Sequence, residues 1–122
     1  MQLYTPTSYL NASEAVRQAV VNGCGTGGWK ACLIPDTLWG MSISEACNIH
    51  DWMYYAGSSI KDKEEADRVF LNNMLRLIDD SCWVMKRLRR NRAYAYYLAV
   101  KMFGGPAFWE GKNSEDNLVE VI

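Results

Sequence analysis

The groups in this chain best suited to chemistry are few and closely spaced. It holds one histidine, His50, followed at once by Asp51. An imidazole held by a carboxylate has its tautomer and orientation fixed, which leaves the other ring nitrogen able to accept a proton as a general base. Asp67 is the carboxylate placed to do this. His50 lies in the stripe Ile43, Ala46, Cys47, His50 and Tyr54, and Asp67 in the stripe Asp67, Phe70, Leu71, Met74 and Ile78. Both follow helical i, i+3, i+4, i+7 spacing, so each apolar stripe carries one ionisable group. The blander account is a core histidine bonded to Asp67 only because buried polar groups need partners. Asp51 points about 100° further round the helix, toward a different neighbour. The glycine-rich stretch NGCGTGG (residues 22–28) can supply one, since glycines let a backbone turn its carbonyl oxygens inward. A hard cation binds several such oxygens plus a carboxylate.

Four helices are expected to position these groups. Asn11 and Glu14 have capping-box spacing and open a first helix that ends before Gly23. Residues 29–41 carry Pro35, Gly40 and no sustained period, which predicts a loop. Ser42 and Glu45 repeat the box and open a second helix that stops at Gly57; Ser59 and Asp62 cap a third that runs to about Asp80. A fourth spans Cys82 to Phe103 and ends at Gly104-Gly105-Pro106, and the polar tail from about residue 110 is expected to fray. The short connection at 57–59 makes the second and third helices antiparallel neighbours. His50 and Asp67 then sit about 10–12 Å from that turn, on axes about 8–10 Å apart, so their side chains can meet. Tyr54, one turn nearer the connection, can donate its hydroxyl to the same carboxylate.

This predicts an all-α fold, a single domain over residues 1–122 built on an antiparallel helix pair with a glycine-rich metal-binding loop. An apolar share of 49% against 22% charged residues excludes a disordered chain. The 13 basic and 14 acidic residues give a net charge of −1, which disfavours a general nucleic-acid binder. No apolar run approaches the ~20 residues of a membrane span. The opening MQLYTPTSYL has neither a charged nor an apolar leader region, so no secretory signal is expected. Cys24, Cys32, Cys47 and Cys82 fit either two disulfides or four thiols, and Cys32 could pair with Cys82. None form a CxxC pair.

Three segments together resemble a known family. CNIHDWMY (Cys47 to Tyr54) resembles the C-x-x-H-D-x-x-Y active-site helix of the secreted-type, calcium-dependent phospholipase A2 enzymes. NGCGTGG resembles that family's Y-G-C-x-C-G-x-G-G calcium loop, and ADRVF (Ala66 to Phe70) its C-D-R segment. The likeness covers about residues 22 to 70. It implies hydrolysis of the sn-2 ester of glycerophospholipids, with His50 as base toward water and Asp67 as its holder. Calcium (Ca2+) would be bound by Asp51 and the carbonyls of Gly23, Gly25 and Gly27, with the N–H of Gly25 as oxyanion donor and no covalent intermediate. It also implies a Cys24–Cys47 disulfide and a second tyrosine on the aspartate, to be sought among Tyr94, Tyr96 and Tyr97.

The departures are specific. Ala46 stands where many relatives have a second cysteine, Gly23 replaces the loop tyrosine, and most of the family's disulfides have no counterpart. Sixteen residues, 51 to 66, separate His50 from Asp67, so the β-hairpin of the larger members is absent. The chain is most similar to the short bacterial, phage and viral members, which implies action at membranes after secretion or delivery by phage or virion. The expected partner is a phospholipid membrane surface. The basic run Lys86, Arg87, Arg89, Arg90 and Arg92, with Trp83 before it, could attract anionic headgroups or simply be a solvated helix face. Trp29, Trp39 and Trp52 flank the proposed site and could line an apolar entrance or belong to the core. Two rival functions remain at this level: a non-catalytic lipid-binding or assembly module on the same scaffold, and a cysteine-based zinc or redox protein.

Overall fold

A computed structural model describes residues 3–20 and 35–109. In chain order the elements are α1 (Thr7–Asn11), α2 (Glu14–Val20), β1 (Thr37–Leu38), β2 (Met41–Ser42), α3 (Ser44–Ala56), α4 (Ile60–Asp79), a 3-10 turn (Trp83–Met85), α5 (Lys86–Phe103) and α6 (Gly105–Trp109). Helix dominates, as expected, and α4 lies at the centre, packed against both α3 and α5.

The helix expected from Asn11 starts later, at Glu14, and a short helix that the sequence did not suggest, α1, ends at Asn11. Ala12 is extended and breaks the run, and Ser13 caps α2 by accepting the Val16 N–H at 3.2 Å. The segment read as loop contains a two-residue antiparallel ladder, Thr37 opposite Ser42 and Leu38 opposite Met41. Its turn residues Trp39 and Gly40 have φ of 47° and 82°, the paired positive values of a tight hairpin. Two residues per strand are too few for alternation to show in a sequence. The expected Ser42–Glu45 box does not form either. Helix α3 starts at Ser44, and Glu45 instead accepts a 2.9 Å bond from the Tyr9 hydroxyl. The third helix does have its box: the Asp62 N–H donates to Ser59 Oγ and the Ser59 N–H to Asp62 Oδ2, both at 3.2 Å. The Ser58 N–H, donating to Asp62 Oδ2 at 2.9 Å, and then the Ser59 N–H hold the Asp62 carboxyl below its usual range.

The main core joins Leu38, Ile43, Ala46, Cys47, Phe70, Met74, Ile78, Ala93, Tyr96 and Val100, so both predicted stripes face inward, with Leu71 at the edge. Full burial of a side chain such as Phe70 or Met74 contributes about 1.5–3 kcal/mol. Trp52 lies in a second cluster with Tyr9 and Ile49, and its indole N–H donates to Ser8 Oγ at 3.0 Å. A third cluster, Tyr54, Ala66 and Phe108, closes the lower end of the helix pair. At Gly57, where the chain turns extended and α3 ends, a Cβ would lie 2.8 Å from the Phe108 ring, which leaves room only for glycine. Among the described residues no helix is long and apolar enough to cross a membrane.

Candidate active site

Helices α3 and α4, joined by residues 57–59, bring His50 and Asp67 into contact. Nε2 of the imidazole lies 2.8 Å from Asp67 Oδ1, and the two residues are 1% and 2% exposed. Tyr54, one turn along α3, donates its hydroxyl to the same Oδ1 at 2.6 Å. All three meet as the spacing predicted. The imidazole is packed between the Tyr54 and Phe70 rings, at centroid distances of 4.1 and 4.7 Å.

Burial by itself would raise the Asp67 carboxyl, but bonds from His50, Lys63 and Tyr54, together with the imidazole's charge, hold it below the ordinary carboxylate range. The carboxylate is therefore an acceptor, and Nε2 carries the hydrogen between them. Burial pushes the Tyr54 hydroxyl far above its usual value, reinforced by Asp67 beside it and by the charge of Asp51. Tyr54 thus stays protonated and can donate to Asp67.

The fourth member was not foreseen. The Lys63 ammonium donates to Asp67 Oδ2 at 2.7 Å, and Lys63 is buried. A lysine on an otherwise amphipathic helix reads as solvent-facing. The usable signal was its position four residues before Asp67, on the same stripe. Lys63 takes the place in which a second tyrosine was sought. Tyr96 donates instead to the Thr37 carbonyl at 2.9 Å, Tyr94 is exposed, the Tyr97 ring lies under the Lys101 ammonium, and none of the three is bonded to Asp67. Gly104 is a further member that the sequence marked only as a helix stop. A Cβ there would lie 2.5 Å from the Tyr54 hydroxyl, so the glycine leaves that oxygen its room.

No family model, curated protein or solved structure matches the chain. The site must be judged on its own groups.

Asp51 is partly buried and follows His50 directly. Among the described residues no group of three or more His, Cys, Asp or Glu side chains could hold a metal. A calcium site there would thus combine Asp51 with backbone carbonyls, which is hard-oxygen chemistry suited to that ion. The expected carbonyl ligands Gly23, Gly25 and Gly27, and the Gly25 N–H, lie outside the described residues, as does Trp29. Cys47 is fully buried and disulfide-bonded, with its partner outside the described residues, so the expected pairing with Cys24 falls there too. Cys82 is a free, exposed thiol, which removes the Cys32–Cys82 option and a site built from all four cysteines.

Two points that the sequence left open about the surroundings are narrowed. Trp52 is core rather than entrance, as its contacts with Tyr9 and Ser8 show, and Trp39 forms the hairpin turn. Much of the basic run is tied to the protein. Arg89 donates to the Leu38 and Trp39 carbonyls at 3.1 and 3.0 Å, and the Arg92 guanidinium covers the Trp39 ring. Arg90 pairs with the Asp79 carboxylate at 3.2 Å, and Lys86 donates to the Asp79 carbonyl.

Proposed function

We propose that this chain is a calcium-dependent phospholipase A2-type hydrolase that cleaves the sn-2 ester of glycerophospholipids. The observation that carries the reading is the buried His50–Asp67 contact at 2.8 Å, completed by the Tyr54 hydroxyl on the same oxygen. With Nε2 committed to Asp67, proton abstraction from water falls to Nδ1. Asp67 stabilises the imidazolium that results, and Tyr54 keeps the carboxylate oriented through the transfer. Asp51 and the carbonyls of Gly23, Gly25 and Gly27 are the groups that would hold calcium. When bound, the ion supplies electrophilic polarisation of the ester carbonyl. The Gly25 N–H is assigned to the developing oxyanion by the family likeness.

The membrane partner is supported by the outer face of α5. Leu88, Leu98 and Met102 lie along it, all exposed, and exposed Trp83 and Val84 sit in the 3-10 turn before it. Helix α5 carries Lys86, Arg87, Arg89, Arg90, Arg92 and Lys101 and no acidic residue, and bonds to carbonyls leave those charges in place. A basic amphipathic face of this kind suits an anionic phospholipid surface.

Near-complete burial of His50 favours a second reading, a non-catalytic lipid-binding module in which the pair only satisfies the core. One experiment decides between them: fatty-acid release from phospholipid vesicles with calcium, with chelator, and with His50→Gln. The hydrolase reading expects release that needs calcium and falls by about 10²–10⁴-fold in the variant. Vesicle binding without release in any arm would establish the module instead.

A further inference from the structure

Asp67 has two carboxylate oxygens with different partners. Oδ1 accepts from Tyr54 at 2.6 Å and lies 2.8 Å from the imidazole, while Oδ2 accepts from Lys63 at 2.7 Å. The ammonium has three donors and three acceptors near it: Asp67 Oδ2, the Val100 carbonyl at 3.2 Å and the Lys101 carbonyl at 3.4 Å. Those carbonyls belong to the last turn of α5, the helix end whose partial negative charge attracts a cation. Lys63 is 6% exposed, so these contacts are made away from bulk water. An aspartate side chain turns easily about its terminal torsion, which is broad and nearly two-fold. His50 and Tyr54, both on α3, hold only Oδ1, so the orientation of the carboxylate plane depends on what holds Oδ2.

We infer that Lys63 is the positioning residue of the His50–Asp67 pair: it anchors Oδ2 to the end of α5, so that Oδ1 is committed to the imidazole and the tyrosine. This rests on the hydrolase reading only for its effect on rate; its effect on the imidazole tautomer is independent of turnover. Lys63 also matches the carboxylate's charge, which a neutral donor at the same place would not do. Rotation of the carboxylate would loosen the Nε2 hydrogen and let the ring populate its other tautomer. A lysine that only joined α4 to α5 would leave the tautomer alone.

Because the chain has a single histidine, its imidazole can be read directly by ¹⁵N NMR of histidine-labelled protein. Wild type should show one Nε2–H tautomer. Lys63→Met should show averaged ring nitrogens, with kcat on phospholipid vesicles lower by about 10–100-fold and KM little changed. Lys63→Arg, which keeps the charge, should restore the single tautomer and most of the rate. A folded Lys63→Met with an unchanged tautomer overturns the inference, and so does a kcat within about twofold of wild type. If Lys63→Met does not fold, ¹⁵N-lysine spectra of wild type decide. A slowly exchanging ammonium that shifts in Asp67→Asn supports the anchor, and its absence overturns it. Wild type without fatty-acid release, but with a tautomer that depends on Lys63, would sink the hydrolase reading and leave the positioning role standing. Release with a tautomer indifferent to Lys63 would do the reverse.

Discussion

Gly104→Ala tests whether the packing behind Tyr54 holds the site together. The new methyl would lie 2.5 Å from the Tyr54 hydroxyl and 2.5 Å from the Val100 carbonyl oxygen. Ordinary contact begins near 3.4 Å, so the hydroxyl would have to retreat by about 0.9 Å. That movement carries its 2.6 Å bond to Asp67 to the limit of hydrogen-bonding distance. The dihedral of Gly104 itself is not the obstacle, because its φ of −81° is one that any residue adopts. Overpacking and a weakened bond to a buried carboxylate together should cost about 2–4 kcal/mol. Urea unfolding of wild type, Gly104→Ala, Tyr54→Phe and the double variant measures it. In the Tyr54→Phe background the methyl no longer meets a hydroxyl, and only the Val100 clash remains, so the cost should shrink by at least about 1 kcal/mol. A single-variant cost below about 0.5 kcal/mol would refute the argument. So would a cost identical in both backgrounds.

Asp51→Asn should abolish or greatly weaken calcium binding in calorimetry, whereas Asp67→Asn should leave it near wild type while lowering hydrolysis. Arg89→Glu should destabilise the fold by about 1–3 kcal/mol, because it leaves the Leu38 and Trp39 carbonyls without their donor, as thermal melts will show. Arg87→Glu should leave the melt unchanged and reduce sedimentation with anionic vesicles, by less as salt rises; equal losses at low and high salt would oppose the surface assignment. Asp67 should make the protein acid-labile. Its folded carboxyl lies below the unfolded value of about 3.9, so between the two values only the unfolded chain binds the proton. Its stabilisation is full above that range and is lost as pH falls through the folded value. Acid titration of unfolding stability should show this loss in wild type and not in Asp67→Asn.

The His50–Asp67 contact was legible because both residues sit in helical apolar stripes and the turn between the helices is short. Those are local features, and the capping box at Ser59 fixes where the second helix starts. What escaped is non-local. Lys63 owes its burial to carbonyls on α5, and Gly104 its identity to a hydroxyl on α3, so neither shows in its own neighbourhood of sequence. The Ser42–Glu45 box failed for the same reason: Glu45 is claimed by Tyr9, 36 residues away. Trp52 followed the apolar face of α3 into a cluster that only the placement of α1 creates. The basic run looked like a free charged face because bonds to the hairpin carbonyls leave no mark in composition.

The separations along the chain bear on how this site assembles. His50 and Asp67 are 17 residues apart, within one helical hairpin, whereas Lys63 and the Val100 carbonyl are 37 apart. Closing the longer loop costs about 0.7 kcal/mol more in chain entropy, and it requires α5 to have docked. His50 and Asp67 are therefore brought together by the most local contact available to them. Their anchor depends on a third helix. A truncation or insertion beyond α4 could leave the histidine beside its aspartate and still detach the anchor, so proximity of the pair and its fixation are separable properties of this chain.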